Sequence, residues 1–173
     1  MNAAINIKET IAKLIDKGDR ASLIKEIDSL SSKEIVHLIG HLNLEEQRKL
    51  LTILPPEDAA EVMEDIPEVQ AVDIFEELNT KDAAAILNEM ESNEQADIIM
   101  EFDDEEAQAI LAEMAPEEAA HVRKLIEYDS DTAGGLMRTE YFAFEENQTV
   151  EEVTEDLRTY SDKYRHYRLK YIF

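Results

Sequence analysis

Apolar residues along this chain keep a period of twelve. Leu30, Leu42, Leu54, Ile66, Leu78, Met90, Phe102, Met114 and Ile126 follow one another at that interval. Four places before each, from Leu42 on, stand Leu38, Leu50, Val62, Ile74, Ile86, Ile98, Ile110 and Val122. Three places before stand Ile39, Leu51, Met63, Phe75, Leu87, Ile99 and Leu111, and the series fails only at Arg123. Alanine recurs at the start of the unit, at Ala59, Ala71, Ala83, Ala107 and Ala119. This spacing is one apolar face of a helix, and polar turns such as Pro55-Pro56-Glu57-Asp58 and Asn79-Thr80-Lys81-Asp82 close the units.

Each unit predicts about nine helical residues, roughly 14 Å of helix, too short to be stable alone in water. Every helix must therefore stack its apolar face on its neighbours, with alanines allowing close approach and larger residues filling the seam. The expected fold is mainly α: a superhelical solenoid of short helices over residues 1–127, its hand left open by the period. Two leading helices are expected around 3–17 and 20–30, separated by Gly18. Met63, Met90 and Met114 fall on the apolar lattice and belong to the core.

The pattern breaks at 128-YDSDTAGGLMRTEYF-142, where Gly134 and Gly135 arrive together. The run 140-EYFAF-144 reads as a strand, and Thr149 with Glu152 forms a capping box that opens a helix in 149-TVEEVTEDLR-158. A strand followed by a capped helix begins an α/β unit, which needs partner strands. The remaining 159-TYSDKYRHYRLKYIF-173 is too short to supply them, so the second domain is expected to be cut short.

Charge sharpens this picture. The chain carries 17 basic and 41 acidic residues, a net of −24. Residues 1–56 are balanced, with eight of each, whereas residues 57–118 hold twenty-two acids and one base, Lys81. Such a surface opposes a nucleic-acid backbone or an anionic bilayer. Cysteine is absent, which removes disulfides, zinc–thiolate sites and thiol catalysis. No apolar run approaches the ~18 residues that would span a bilayer. No nucleophile with a base, phosphate loop or catalytic ligand cluster stands out, so the reading is not enzymatic.

Two patterns invite a metal test. Asp129 to Glu140 matches a calcium loop at positions 1, 3, 6 and 12 through Asp129, Asp131, Gly134 and Glu140, but Ala133 at position 5 has no oxygen to offer. His37 and His41 stand one helical turn apart in 37-HLIGH-41, without the glutamate or third ligand of a zinc helix, and read as packing or surface residues.

The junction is specific. A helical repeat ending in Tyr128, Thr132, Ala133, Gly134, Gly135, Leu136 and Met137, with Leu157-Arg158 beyond a strand and capped helix, resembles the MgtE magnesium transporters. The resemblance implies that residues 1–127 are the family's cytosolic helical N domain, 128–137 a junction, and 138–173 the start of its first CBS domain. It implies a piece of a homodimeric channel at the cytoplasmic face of the cell membrane, itself without a membrane span. Its partners would be its own CBS and transmembrane domains, and its ligand and cargo Mg²⁺. The tail departs from the family, since Arg165-His166-Tyr167-Arg168 replaces a hydrophobic CBS strand.

The same resemblance suggests regulatory metal ligands. In 57-EDAAEVMEDI-66 the Ala-Ala-Glu-Val pattern marks Glu61. In 90-MESNEQADII-99 Asp97 matches an acid of the family pattern, while Asn93 and Glu94 stand where it has a paired Asp-Asp. Crowded carboxylates repel one another, and Mg²⁺, which prefers oxygen ligands and keeps several waters, can bridge two acidic faces and favour a compact, pore-closed state. The competing reading is an acidic protein-interaction scaffold without metal sensing, since the repeats are also similar to those of a flagellar motor-switch protein.

Overall fold

The computed structural model describes residues 2–129, 131–139 and 143–163. Among the described residues there are helices and no strand. Helices α1 (Asn2–Lys17) and α2 (Arg20–Asp28) lead in. Gly18 between them adopts a φ of +63°, the left-handed turn that glycine takes without strain, and Asp19 then caps α2.

The repeat follows as α3 (Ser32–Ile39), α4 (Leu44–Ile53), α5 (Pro56–Asp65), α6 (Glu68–Glu76), α7 (Thr80–Leu87), α8 (Ser92–Glu101), α9 (Asp104–Glu113) and α10 (Pro116–Leu125). The residues preceding them are Ser31, Asn43, Pro55, Pro67, Asn79, Glu91, Asp103 and Ala115, twelve apart without a slip. The lattice residue of each unit thus sits at the corner just before the cap, and the alanine falls at the fourth helical position, the two places that a hydrophobic staple joins. The caps themselves differ. Asn43 and Asn79 accept backbone N–H groups with their side chains, Asp103 accepts two, and Pro56 and Pro116 occupy the first helical position instead.

Each of these helices packs against the second one along the chain. α3, α5, α7 and α9 form one column, and α4, α6, α8 and α10 the other. One coil therefore takes two units, or 24 residues. The paired apolar positions Leu50–Leu51, Val62–Met63, Ile74–Phe75, Ile86–Leu87, Ile98–Ile99 and Ile110–Leu111 are all buried between the columns. Met90 and Met114 are buried with them.

Successive coils are joined by a recurring polar bond. The Asn88 Oδ1 at the end of α7 accepts the backbone N–H of Ala115 at 3.2 Å, before α10. Twenty-four residues earlier, the Glu64 carboxylate at the end of α5 takes the backbone N–H of Glu91, before α8. Both satisfy a helix-start donor that has no partner within its own helix.

Gln47 and Gln95 occupy the alanine place in two units and are buried. The Gln47 Nε2 donates to the carbonyls of Ile39 (2.7 Å) and Leu42 (3.2 Å), and the Gln95 Nε2 to that of Met90 (2.6 Å). Each amide thereby ties the corner carbonyl that an alanine would leave alone.

Beyond the repeat, α11 (Val150–Lys163) starts at the expected capping box. The Thr149 N–H donates to the Glu152 carboxylate at 2.7 Å and the Glu152 N–H to the Thr149 Oγ1 at 3.3 Å. Residues 140–142 of the expected strand, and 164–173 of the tail, lie outside the described residues, and Ala143 and Phe144 are not in a strand.

The stack makes a sharp contrast between buried and exposed apolar side chains. Leu87→Ala, at a fully buried position, is expected to cost about 2–5 kcal/mol in urea unfolding. Val69→Ala, at a position 78% exposed, should stay within roughly 0.5 kcal/mol. Equal costs would contradict a continuous core between the columns.

Candidate functional site

Because α7 stacks on α5, the corner between α7 and α8 lies beside the last turn of α5. This brings Glu91 to Glu64, and Glu94 follows one turn into α8. Since α6 packs on α8, Glu68 in the first turn of α6 comes within electrostatic reach of Asp97. Glu64 from the neighbouring column and Glu68 from the preceding helix of the same column thus gather with Glu91, Glu94 and Asp97 along the first half of α8.

Their titration records the crowding. Burial, then the charges of Glu64 and Glu91, push the Glu94 carboxyl up to about 7, and Arg138 opposes the rise. Burial and the charge of Glu91 raise Glu64, against the hydrogen bond from the Glu91 N–H. Burial and the charge of Glu68 raise Asp97.

The chain just past the 128–137 junction reaches this cluster. The Arg138 guanidinium hydrogen-bonds the Glu91 carboxylate, and the Thr139 N–H donates to the Ser92 Oγ at 3.0 Å. Upstream, the Thr132 Oγ1 donates to the Asp129 carbonyl at 2.7 Å and accepts the Gly135 N–H at 3.3 Å, fixing a tight turn. Gly134 packs under the Tyr128 ring so closely that a Cβ there would stand 2.5 Å from its Cδ1. Close approach, not a positive φ, demands that glycine.

Several oxygens in this region are buried without a hydrogen-bond partner: Asn93 Oδ1, Glu94 Oε2, Gln95 Oε1 and Thr139 Oγ1. Such groups are costly to bury unless something satisfies them. The donor set is oxygen only, which suits a hard cation that retains waters.

Of the residues singled out from sequence, Asn93, Glu94 and Asp97 lie half-buried on one side of α8. Glu61 lies one turn before Glu64 on α5, and its charge reaches Glu64. It also borders a separate cleft of about 320 Å³ against α2 and α3, beside Asp28, Asp58 and Asp65. Among the described residues, no three acidic or histidine side chains converge closely enough to hold a metal by themselves. Glu64, Glu68, Glu91 and Arg138 escaped the sequence reading. The sequence does contain a signal for the pairing of Glu64 with Glu91, because the 24-residue coil sets residues 27 apart side by side, as at Asn88 and Ala115.

Two other patterns take ordinary places. His37 and His41 are surface neighbours with ring centres 4.2 Å apart, the His41 Nδ1 donating to the His37 carbonyl at 2.7 Å. The calcium-loop match has its twelfth position, Glu140, outside the described residues.

A two-column solenoid of twelve-residue helical units with an acidic centre defines an α-superhelical repeat domain. Residues 30–131 match the model of the MgtE intracellular N domain, and the chain belongs to that family. No curated protein matches it in sequence. Two crystal structures share its fold. The soluble part of a magnesium transporter superposes with a TM-score of 0.78 at 22% identity, covering 92% of this chain and 63% of that one. The cytosolic domain of the Mg²⁺ channel MgtE in complex with ATP superposes with a TM-score of 0.77 at 28% identity, covering 92% and 64%. The chain therefore spans under two thirds of either structure. No helix among the described residues is long and apolar enough to cross a membrane.

The raised Glu94 carboxyl sets a pH dependence. Its proton is held more tightly in the folded chain than at the ordinary 4.5, so the native state carries more protons between about 4.5 and about 7. Its contribution is complete below 4.5 and is lost as pH rises through 7. In chelator-treated protein, stability should fall across that window, with Glu64 and Asp97 adding in the same sense. Glu94→Gln is expected to flatten the slope and to raise stability at pH 8 by on the order of 1–2 kcal/mol in urea unfolding. An unchanged slope would show a solvated carboxyl.

Proposed function

We propose that this chain is a cytosolic, Mg²⁺-sensing regulatory piece of an MgtE-type magnesium channel. Family membership and fold supply the class, and the crowded carboxylates along α8 carry the reading. Glu64, Glu91, Glu94 and Asp97 hold more negative charge than one guanidinium balances, in a setting dry enough to raise three of their pKa values. A bound Mg²⁺ supplies the missing positive charge.

In this reading Asn93, Glu94 and Asp97 of α8 hold the ion through an amide oxygen, carboxylates and retained water, and Glu61 offers a second acidic face on α5. At low magnesium the acidic surfaces repel and separate; at high magnesium, filled sites favour the compact state by mass action. Residues 1–127 are the N domain, 128–137 the junction and 138–173 the start of a CBS domain. The complete assembly is a homodimer at the cytoplasmic face of the membrane, with the pore closed in the compact state.

Thermal unfolding tests the reading. About 10 mM MgCl₂ is expected to raise the midpoint by roughly 3–6 °C beyond NaCl of equal ionic strength. CaCl₂ should do less, and Glu94→Ala or Asp97→Ala should reduce the gain. A rise matched by NaCl would mean general screening of the −24 charge and would favour a protein-interaction scaffold.

A further inference from the structure

One helix start in the repeat is covered. Among the eight helices α3–α10, the first helical residue is buried only at Ser92, and the second is sheltered only at Asn93. The other seven helices expose both positions. The cover at α8 is the chain just past the junction, where the Thr139 N–H bonds the Ser92 Oγ and Arg138 the Glu91 carboxylate. Around it, Asn93 Oδ1, Glu94 Oε2 and Thr139 Oγ1 are buried without a hydrogen-bond partner. The next residue of α8, Gln95, is fully buried, with its Nε2 donating to the Met90 carbonyl and its Oε1 unpartnered. The two amide oxygens and an ionised Glu94 can only accept, whereas Thr139 can give one proton. At least two of these acceptors therefore need a donor from outside the chain. The waters that Mg²⁺ retains in its shell are such donors.

We propose that Thr139 completes the magnesium site from beyond the junction: its hydroxyl, with Asn93 and Glu94, receives the hydrated ion, so that filling the site fastens the chain at 138–139 onto the start of α8. This role rests on the magnesium reading above and runs in the same direction, since the filled site is the compact one. Arg138 takes no ligand from the ion, because its guanidinium lies on Glu91, outside that set. Together with the backbone bond from Thr139 to Ser92, it holds the segment in place before an ion arrives. The ion then joins two parts of the chain that are 45 residues apart, from Glu94 to Thr139.

Thr139→Val keeps the shape and the backbone bond to Ser92 and removes only the hydroxyl. In chelator its thermal midpoint should equal or slightly exceed that of the unaltered chain, because the group that is lost is a buried hydroxyl without a partner. The MgCl₂ concentration giving half the thermal rise should increase about threefold or more, and Thr139→Ser should restore it. Hydrogen exchange of peptides spanning 131–139 should slow on adding MgCl₂ in the unaltered chain and in Thr139→Ser, and far less in Thr139→Val. An unaltered half-point and exchange response in Thr139→Val overturn the role of Thr139 and leave the magnesium reading standing. A lower midpoint of Thr139→Val in chelator overturns it too, since the hydroxyl would then serve the fold. No response beyond NaCl of equal ionic strength in any of these proteins overturns the magnesium reading, and this role with it.

Discussion

Everything here depends on the packing of each short helix against the second one along the chain. Units of eight to ten helical residues are too short to hold themselves, and their stability comes from the apolar pair that each sends into the space between two columns. The corner residue and the fourth helical position fix where one unit stops and the next begins. That register, unbroken from Ser31 to Ala115, decides which acids meet.

The acids are where this constraint turns into chemistry. Negative side chains in the first turn of a helix are locally favourable, and nearly every unit carries them there. Stacking two columns then brings such first turns against the ends of other helices. Glu64 answers the N–H of Glu91, the same joint that neutral Asn88 makes with Ala115. At one coil the joint is uncharged and quiet, and at the other it is the seed of a cluster in which Glu64, Glu94 and Asp97 hold their protons unusually tightly. A structural bond of the repeat and a candidate cation site share the same atoms.

The fold was legible because its signal is a period. Leu50, Ile74, Ile98 and Val122 announce one face, and every one is buried. The exception at Arg123 is equally plain, since it is exposed while Leu125 beside it is buried. The site was half legible. Asn93, Glu94 and Asp97 lie together because they share a helix, which local sequence shows. Glu64 and Arg138 join them through contacts of 27 and 47 residues, and only the coil length foretells the first. Gly134 and Gly135 mark the break in the pattern, yet what excludes a side chain at Gly134 is the Tyr128 ring, a contact that no propensity describes.

The two-column stack also limits how such a chain can change length. Removing one twelve-residue unit would carry every later helix into the opposite column, turn its seam residues toward strangers and part Glu91 from Glu64. Removing or adding two units restores the column assignment and keeps the joints between coils in phase. Length variants of this fold should therefore come in steps of 24 residues, and the chain at Arg138 would meet a whole number of coils in each of them.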